Sequence, residues 1–195
     1  MNLDAQGLNE ALSLLGELVA EYPAQHYVIC GGSSLLALGL VSRSTTRDVD
    51  VLASLENGEL STAKPLPNWL DEAVAKVARD LDLMENWFNT GPSDDSFFRL
   101  GLPEGLVTRL TTREFGPTLK VSFIDRYDQI HLKLYATVDS DQGRHFQDLQ
   151  DLKPTAEELL AAARWTRTQD PSEGFLSVLS AVLNHMNHGN LIDQL

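Results

Sequence analysis

The chain is predicted to be an α+β protein, a small mixed sheet with flanking helices and a helical C-terminal extension. Three observations predict it. Helix-spaced apolar residues and short β-prone runs follow one another as helix, strand, helix, strand, helix. Two more β-prone runs, Leu106 to Phe115 and Thr118 to Ile124, are separated by Gly116 and Pro117 and suggest a hairpin. Beyond Asp125 the spacing is helical almost to the end. That order suits a sheet with helices on one face, then a helical tail.

Each element has its own reason. Leu8, Leu12, Leu15 and Val19 place a first amphipathic helix over residues 4–21, closed by Pro23. His26 to Cys30 reads as a short buried strand, and Cys30, the single cysteine, as a residue packed inside it. Gly31 and Gly32 turn the chain, and Ser33 or Ser34 caps a second helix running through Leu40. Arg47 to Ala53 is the second strand, and 54–66, with Asn57, Gly58 and two prolines, is a loop. Leu70, Val74, Val77 and Leu81 mark a helix over Asn68 to Leu83. Asn89 to Ser96 is rich in turn residues, and Asp94 and Asp95 there read as solvated. The helical tail is expected to break near Ser140 to Gly143, at Pro154, at Pro171 and at Gly189. The division expected is a core over 1–138 and a helical extension over 139–195 packed on it, or else one domain over 1–195.

The bulk properties narrow the function. Hydrophobic residues make up 43% of the chain and charged residues 22%, enough apolar material for a core. No window approaches a membrane span, and the amino terminus lacks a secretory pattern, so a cytoplasmic protein is expected. One cysteine excludes an internal disulfide and a cysteine zinc cluster. The net charge of −13, with no basic cluster, argues against holding long double-stranded DNA by its phosphates. It leaves room for a small nucleotide whose phosphates a divalent ion screens, for an RNA end, or for a basic partner protein.

The segment Cys30 to Ala53, CGGSSLLALGLVSRSTTRDVDVLA, carries the chemistry. Adjacent glycines allow a tight turn and close approach of a ligand to the main chain. Where a helix begins, free amides and the helix dipole suit a phosphate. Asp48 and Asp50 lie two apart on a strand, so both carboxylates point to one face, about 6.5–7 Å apart. So placed, they can bracket one or two magnesium ions, which prefer oxygen ligands with few from protein. Arg43 and Arg47 are the nearest cations and suit phosphate oxygens.

This constellation resembles the signature of the polymerase-beta-like nucleotidyltransferases: a glycine pair, a short helix, then acid–apolar–acid on the next strand. The closest look is to AbiEii-type abortive-infection toxins and their uncharacterised bacterial relatives, through Gly31, Gly32, Arg43, Thr45 or Thr46, Asp48 and Asp50. A second stretch supports the same branch: Ile130-His-Leu-Lys133-Leu-Tyr-Ala136, then Asp148-Leu-Gln-Asp151-Leu152. Arg144, Asp148 and Asp151 share one helix face by spacing. The resemblance implies a sheet of the nucleotidyltransferase type and magnesium or manganese held by Asp48 and Asp50. It also implies phosphates at Gly31, Gly32 and Ser33, with Lys133 on the triphosphate and Asp148 or Asp151 shaping the pocket. Family members place a third carboxylate on a later strand. Here Asp125, at the end of Lys120 to Ile124, is the first candidate, with Asp128 behind it, and emerges on either the core face or the site face.

Two functional classes follow. One is an enzyme moving a nucleoside monophosphate from a nucleoside triphosphate to a hydroxyl of RNA or protein, in a toxin–antitoxin or phage-defence setting with an antitoxin-type partner. The other is a binding module that kept the fold and lost catalysis, for which the missing central third acid speaks. His185 and His188 share a helix face without a nearby acid or cysteine and are not read as a metal site. Trp69, Trp87 and Trp165 are read as packing or interface residues rather than base-stacking platforms.

Overall fold

The computed structural model describes residues 2–41, 45–93, 95–140 and 143–195, with backbone alone at 95 and 96. The chain forms two compact units, one of residues 1–99 and 105–125, the other of 100–104 and 126–195.

The first unit begins with α1 (Ala5–Leu18), whose Asp4 carboxylate accepts from the Gly7 amide and so satisfies an orphan N–H of the first turn. Strand β1 (Gln25–Cys30) and helix α2 (Gly31–Ala37) follow. Strand β2 (Val49–Glu56) is longer than expected and begins two residues later. It turns through Asn57 and Gly58, both at positive φ, into β3 (Glu59–Ser61). The expected loop over 54–66 is therefore corrected: its first part is a hairpin, because Asn-Gly adopts the left-handed pair that a two-residue turn requires. Helix α3 (Asn68–Asp80) carries the predicted apolar stripe, with Leu70, Val74 and Val77 buried. Two elements in the turn-rich segment were not expected, β4 (Phe88–Asn89) and α4 (Asp95–Leu100). The predicted hairpin is β5 (Thr111–Glu114) and β6 (Leu119–Phe123), paired antiparallel; a 3-10 turn over Leu106–Arg109 replaces the first part of the expected run.

The sheet is mixed, in the order β3-β2-β1-β6-β5, with β4 on the same edge of β2 as β3. β1 and β6 run parallel, with Ile29 opposite Phe123. β2 runs antiparallel to β1 and places Asp50 opposite Cys30, with one extra residue in β2 between Val51 and Ala53. Tyr27, Ile29, Val49, Val51, Leu119, Val121 and Phe123 belong to one core with the apolar faces of α1 and α3. Because side chains alternate across a strand, the residues between them (Val28, Cys30, Asp50 and Ser122) take the other face. Cys30 is buried, as its strand position predicted.

The second unit is helical: α5 (Arg126–Ser140), α6 (Gly143–Asp151), α7 (Ala156–Gln169), α8 (Glu173–His185) and a closing 3-10 turn over Gly189–Gln194. The breaks at Pro154 and Pro171 fall where the sequence placed them, and α8 ends ahead of the break expected at Gly189. The break expected near Ser140 to Gly143 lies partly outside the described residues. α7 starts on a full capping box, Thr155 with Glu158. Arg126 fastens the start of α5, donating to the carbonyls of Leu152 and Lys153 and to both oxygens of Glu158. Ile130, Leu134, Leu149, Leu159, Ala163, Leu179 and Leu183 are buried. Trp165 is a packing residue held by its indole N–H on the Gly101 carbonyl. Among the described residues, no helix is long and apolar enough to cross a membrane.

Candidate functional site

The parallel pairing of β1 and β6 brings their C-terminal ends to one edge of the sheet, and antiparallel β2 begins there. Gly31 follows β1 and Asp125 lies two residues beyond β6, so both stand at that edge. Asp50 is the second residue of β2, opposite Cys30.

Gly31 and Asp50 approach each other closely. Gly31 has φ +65°, and a β-carbon built on it would overlap the Asp50 carboxylate at Oδ2. Both features demand glycine: the left-handed backbone and the close approach of a main chain to an acid. The other carboxylate oxygen, Oδ1, accepts a hydrogen bond from Asn89 Nδ2 at 3.2 Å. Asn89 is the register partner of Asp50 on β4.

Asp48 lies one residue before β2, not within it. Val49, between the two aspartates, is fully buried, whereas Asp48 and Asp50 are both half-buried. That alternation keeps both carboxylates off the core. The Asp48 backbone carbonyl accepts from Thr46 Oγ1 at 3.2 Å, and Thr46 itself bridges to Leu3.

The serines do something other than the expected capping. α2 begins at Gly31, with Cys30 as the preceding cap residue and no side-chain cap bond. Ser33 Oγ donates back to the Cys30 carbonyl at 3.3 Å, and Ser34 Oγ donates to the Ile124 carbonyl at 2.9 Å. Both side chains are buried. Ser34 thereby ties the glycine turn to the end of β6. The helix ends at Ala37, three residues short of the expected Leu40, and Gly39 at φ +64° turns the chain out of it.

Asp125 is partly exposed, and its Oδ1 lies 4.0 Å from Arg109 Nε. Arg47 is exposed. Arg43 lies outside the described residues, as does Asp94, and so does the Asp95 side chain.

Lys133, Asp148 and Asp151 belong to the second unit. Lys133 Nζ pairs with Asp148 Oδ2 at 2.7 Å, with both side chains nearly excluded from water at 6% and 5% exposure. The pair joins α5 to α6, and the Lys133 carbonyl accepts from Thr137 Oγ1. Asp151 Oδ1 accepts from Gln147 Nε2 at 2.9 Å on the half-exposed side of α6, and Arg144 is exposed. The two motif residues with matched helical spacing thus have different partners.

No protein family, curated protein or solved structure matches the chain. The site is therefore read from its own geometry. Among the described residues no group of three or more His, Cys, Asp or Glu side chains is arranged to hold a metal, His185 and His188 included.

Sequence reasoning read Asn89 to Ser96 as a turn-rich segment and gave Asn89 no part in the site. Asn89 Oδ1 accepts from the Gly91 amide at 3.0 Å, an Asx turn that the Asn-Thr-Gly order signals. What the order could not signal is the other end of that amide, which reaches a carboxylate 39 residues earlier in the chain.

Proposed function

We propose that the edge formed by Gly31, Asp48, Asp50 and Asn89 is a nucleotidyltransferase-like site. Its activity is transfer of a nucleoside monophosphate from a nucleoside triphosphate to a hydroxyl of RNA or protein. The observation that carries the reading is the main chain of Gly31 pressed against the Asp50 carboxylate at the end of a parallel strand pair. A positive-φ glycine without a β-carbon allows close approach at that turn, and the acid beside it suits the cation that accompanies polyphosphate.

The donor set fits magnesium or manganese. Two half-buried carboxylates supply hard oxygen, and magnesium keeps waters and substrate phosphates for its remaining positions, so a third protein ligand is not required. Asp48 and Asp50 would hold the ion, which when bound supplies charge neutralisation and polarises the phosphoryl group under attack. The main chain at Gly31 and Gly32 would meet the phosphates. Ser33 contributes its backbone, since its hydroxyl is spent on Cys30. Asp125 is the group for the acceptor hydroxyl. Arg43, Arg47, Lys133, Asp148 and Asp151 enter this reading by their order in the sequence alone, as do the toxin–antitoxin or phage-defence setting and an antitoxin-type partner.

A second reading, a nucleotide-binding or protein-interaction module without catalysis, is favoured by two observations. Asp125 has Arg109 beside it, and the Lys133 ammonium is engaged by Asp148.

Asp50→Asn separates them. Asparagine keeps the shape and removes the charge, so magnesium-dependent transfer of labelled nucleotide to RNA or protein is expected to vanish while the thermal melt stays near that of the wild type. Transfer that survives in Asp50→Asn would refute the metal role. Equal nucleotide binding by both proteins, with no transfer by the wild type across a broad set of acceptors, selects the binding module.

A further inference from the structure

Asn89 is held at both ends of its side chain. A side-chain amide has one donor end and one acceptor end, and only its network tells them apart. The Gly91 N–H takes the oxygen at 3.0 Å, so the nitrogen is the atom that faces Asp50 Oδ1. Gly91 has no room for a side chain here: a β-carbon would stand 2.9 Å from Asn89 Oδ1. The loop is anchored from behind as well. Buried Ser93 accepts from the Ala63 amide at 2.7 Å, and Lys64 Nζ donates to the Gly91 carbonyl at 3.2 Å. At its other end, the Val49 amide bonds the Trp87 carbonyl, and Trp87 is itself fixed by its indole N–H on the Val74 carbonyl at 3.0 Å.

We infer that Asn89 is a positioning residue for Asp50, fixing the carboxylate in the orientation that meets a divalent cation at the sheet edge. The inference rests on the reading of Asp50 as a metal ligand given above. Carboxylates that bind metals are themselves oriented by hydrogen bonds, and removing such a partner weakens metal affinity about 10–100-fold. Gly91 belongs to the same device one step further out, since it decides which end of the Asn89 amide points at Asp50.

The test uses the full chain and manganese ion alone, titrated calorimetrically without nucleotide. Asn89→Ala is expected to weaken manganese binding about tenfold or more. Gly91→Ala should weaken it in the same direction, because its methyl displaces the Asn89 amide. In an Asp50→Ala background, Asn89→Ala should change nothing further, since it acts through that carboxylate. Thermal melts without the ion check that each variant folds, and Gly91→Ala carries the test should Asn89→Ala fail to fold. Unchanged manganese affinity in a folded Asn89→Ala or Gly91→Ala, even with a lowered melting temperature, marks a purely structural role and overturns the inference while leaving Asp50 as a ligand. A wild type that takes up no manganese overturns both.

Discussion

Asp50 and Asp148 are both acids of recognisable motifs, yet one is held by a strand neighbour's amide and the other by an ammonium between two helices. Asp50 stands half-buried at a sheet edge, held by the neutral amide of Asn89 and the backbone of Gly31. Asp148 is 3% exposed and held by the ammonium of Lys133. The amide orients the Asp50 carboxylate beside a positive-φ glycine, whereas the ammonium offsets the Asp148 charge and joins two helices. Reading an acid as a site therefore depends less on its spacing than on what donates to it.

The largest effect should come from breaking the buried pair. Lys133→Met leaves Asp148 enclosed without its cation, which typically costs about 3–5 kcal/mol. Urea unfolding of the second unit's signal would show it as a lowered midpoint. The double variant Lys133→Met with Asp148→Leu removes both charges and should recover most of the loss. A single variant as stable as wild type would mean that the pair is not buried in solution, and the contrast with Asp50 would collapse.

A smaller effect is expected at the other region. Gly31→Ala forces an L-residue into the left-handed conformation at φ +65°, costing about 1–2 kcal/mol, and pushes on the Asp50 carboxylate. Stability and manganese affinity should fall together. In an Asp50→Ala background only the backbone cost should remain, so the difference between the two backgrounds measures the contact itself. An identical loss in both would show that the glycine serves the turn alone.

These regions were not equally legible. Helices α1, α3 and α5 to α8 were readable because apolar spacing and breakers are local properties of the chain, and β1 because a short apolar run before two glycines has few other uses. Strand β4 has only two residues, too few for any period, and it exists because β2 offers an open edge to it. Asn89 is invisible for the same reason: its turn is local, but its bond to Asp50 is created by strand pairing. The Asn57-Gly58 hairpin was legible in principle, since the dipeptide is a turn signal, and was obscured by the prolines that follow. Lys133 and Asp148 stood out as a motif, while their mutual pairing required knowing that α5 and α6 fold back on each other.

Acid should also act on the two units in different pH ranges, and this is the mildest of the expected effects. His26 Nε2 lies 2.7 Å from Ser122 Oγ, which lies 2.6 Å from Thr112 Oγ1. Burial, and then the nearby Lys120 charge, hold the imidazole below its usual 6.5. The folded state thus prefers neutral His26; this preference stabilises fully above 6.5 and is lost as pH falls through the lowered folded value. Glu158 is held below its usual 4.5, first by the Arg126 hydrogen bond, so its contribution is complete above 4.5 and is lost only as pH falls below that. Amide hydrogen exchange followed by mass spectrometry reads each unit separately. From about pH 7.5 to about pH 5, protection in the sheet should fall while the Arg126 clamp stays intact. His26→Gln should flatten that first decline, and Glu158→Gln should leave it untouched while weakening α7 at neutral pH. Protection lost from the helical unit first would reverse the order and remove the burial of His26 as its cause.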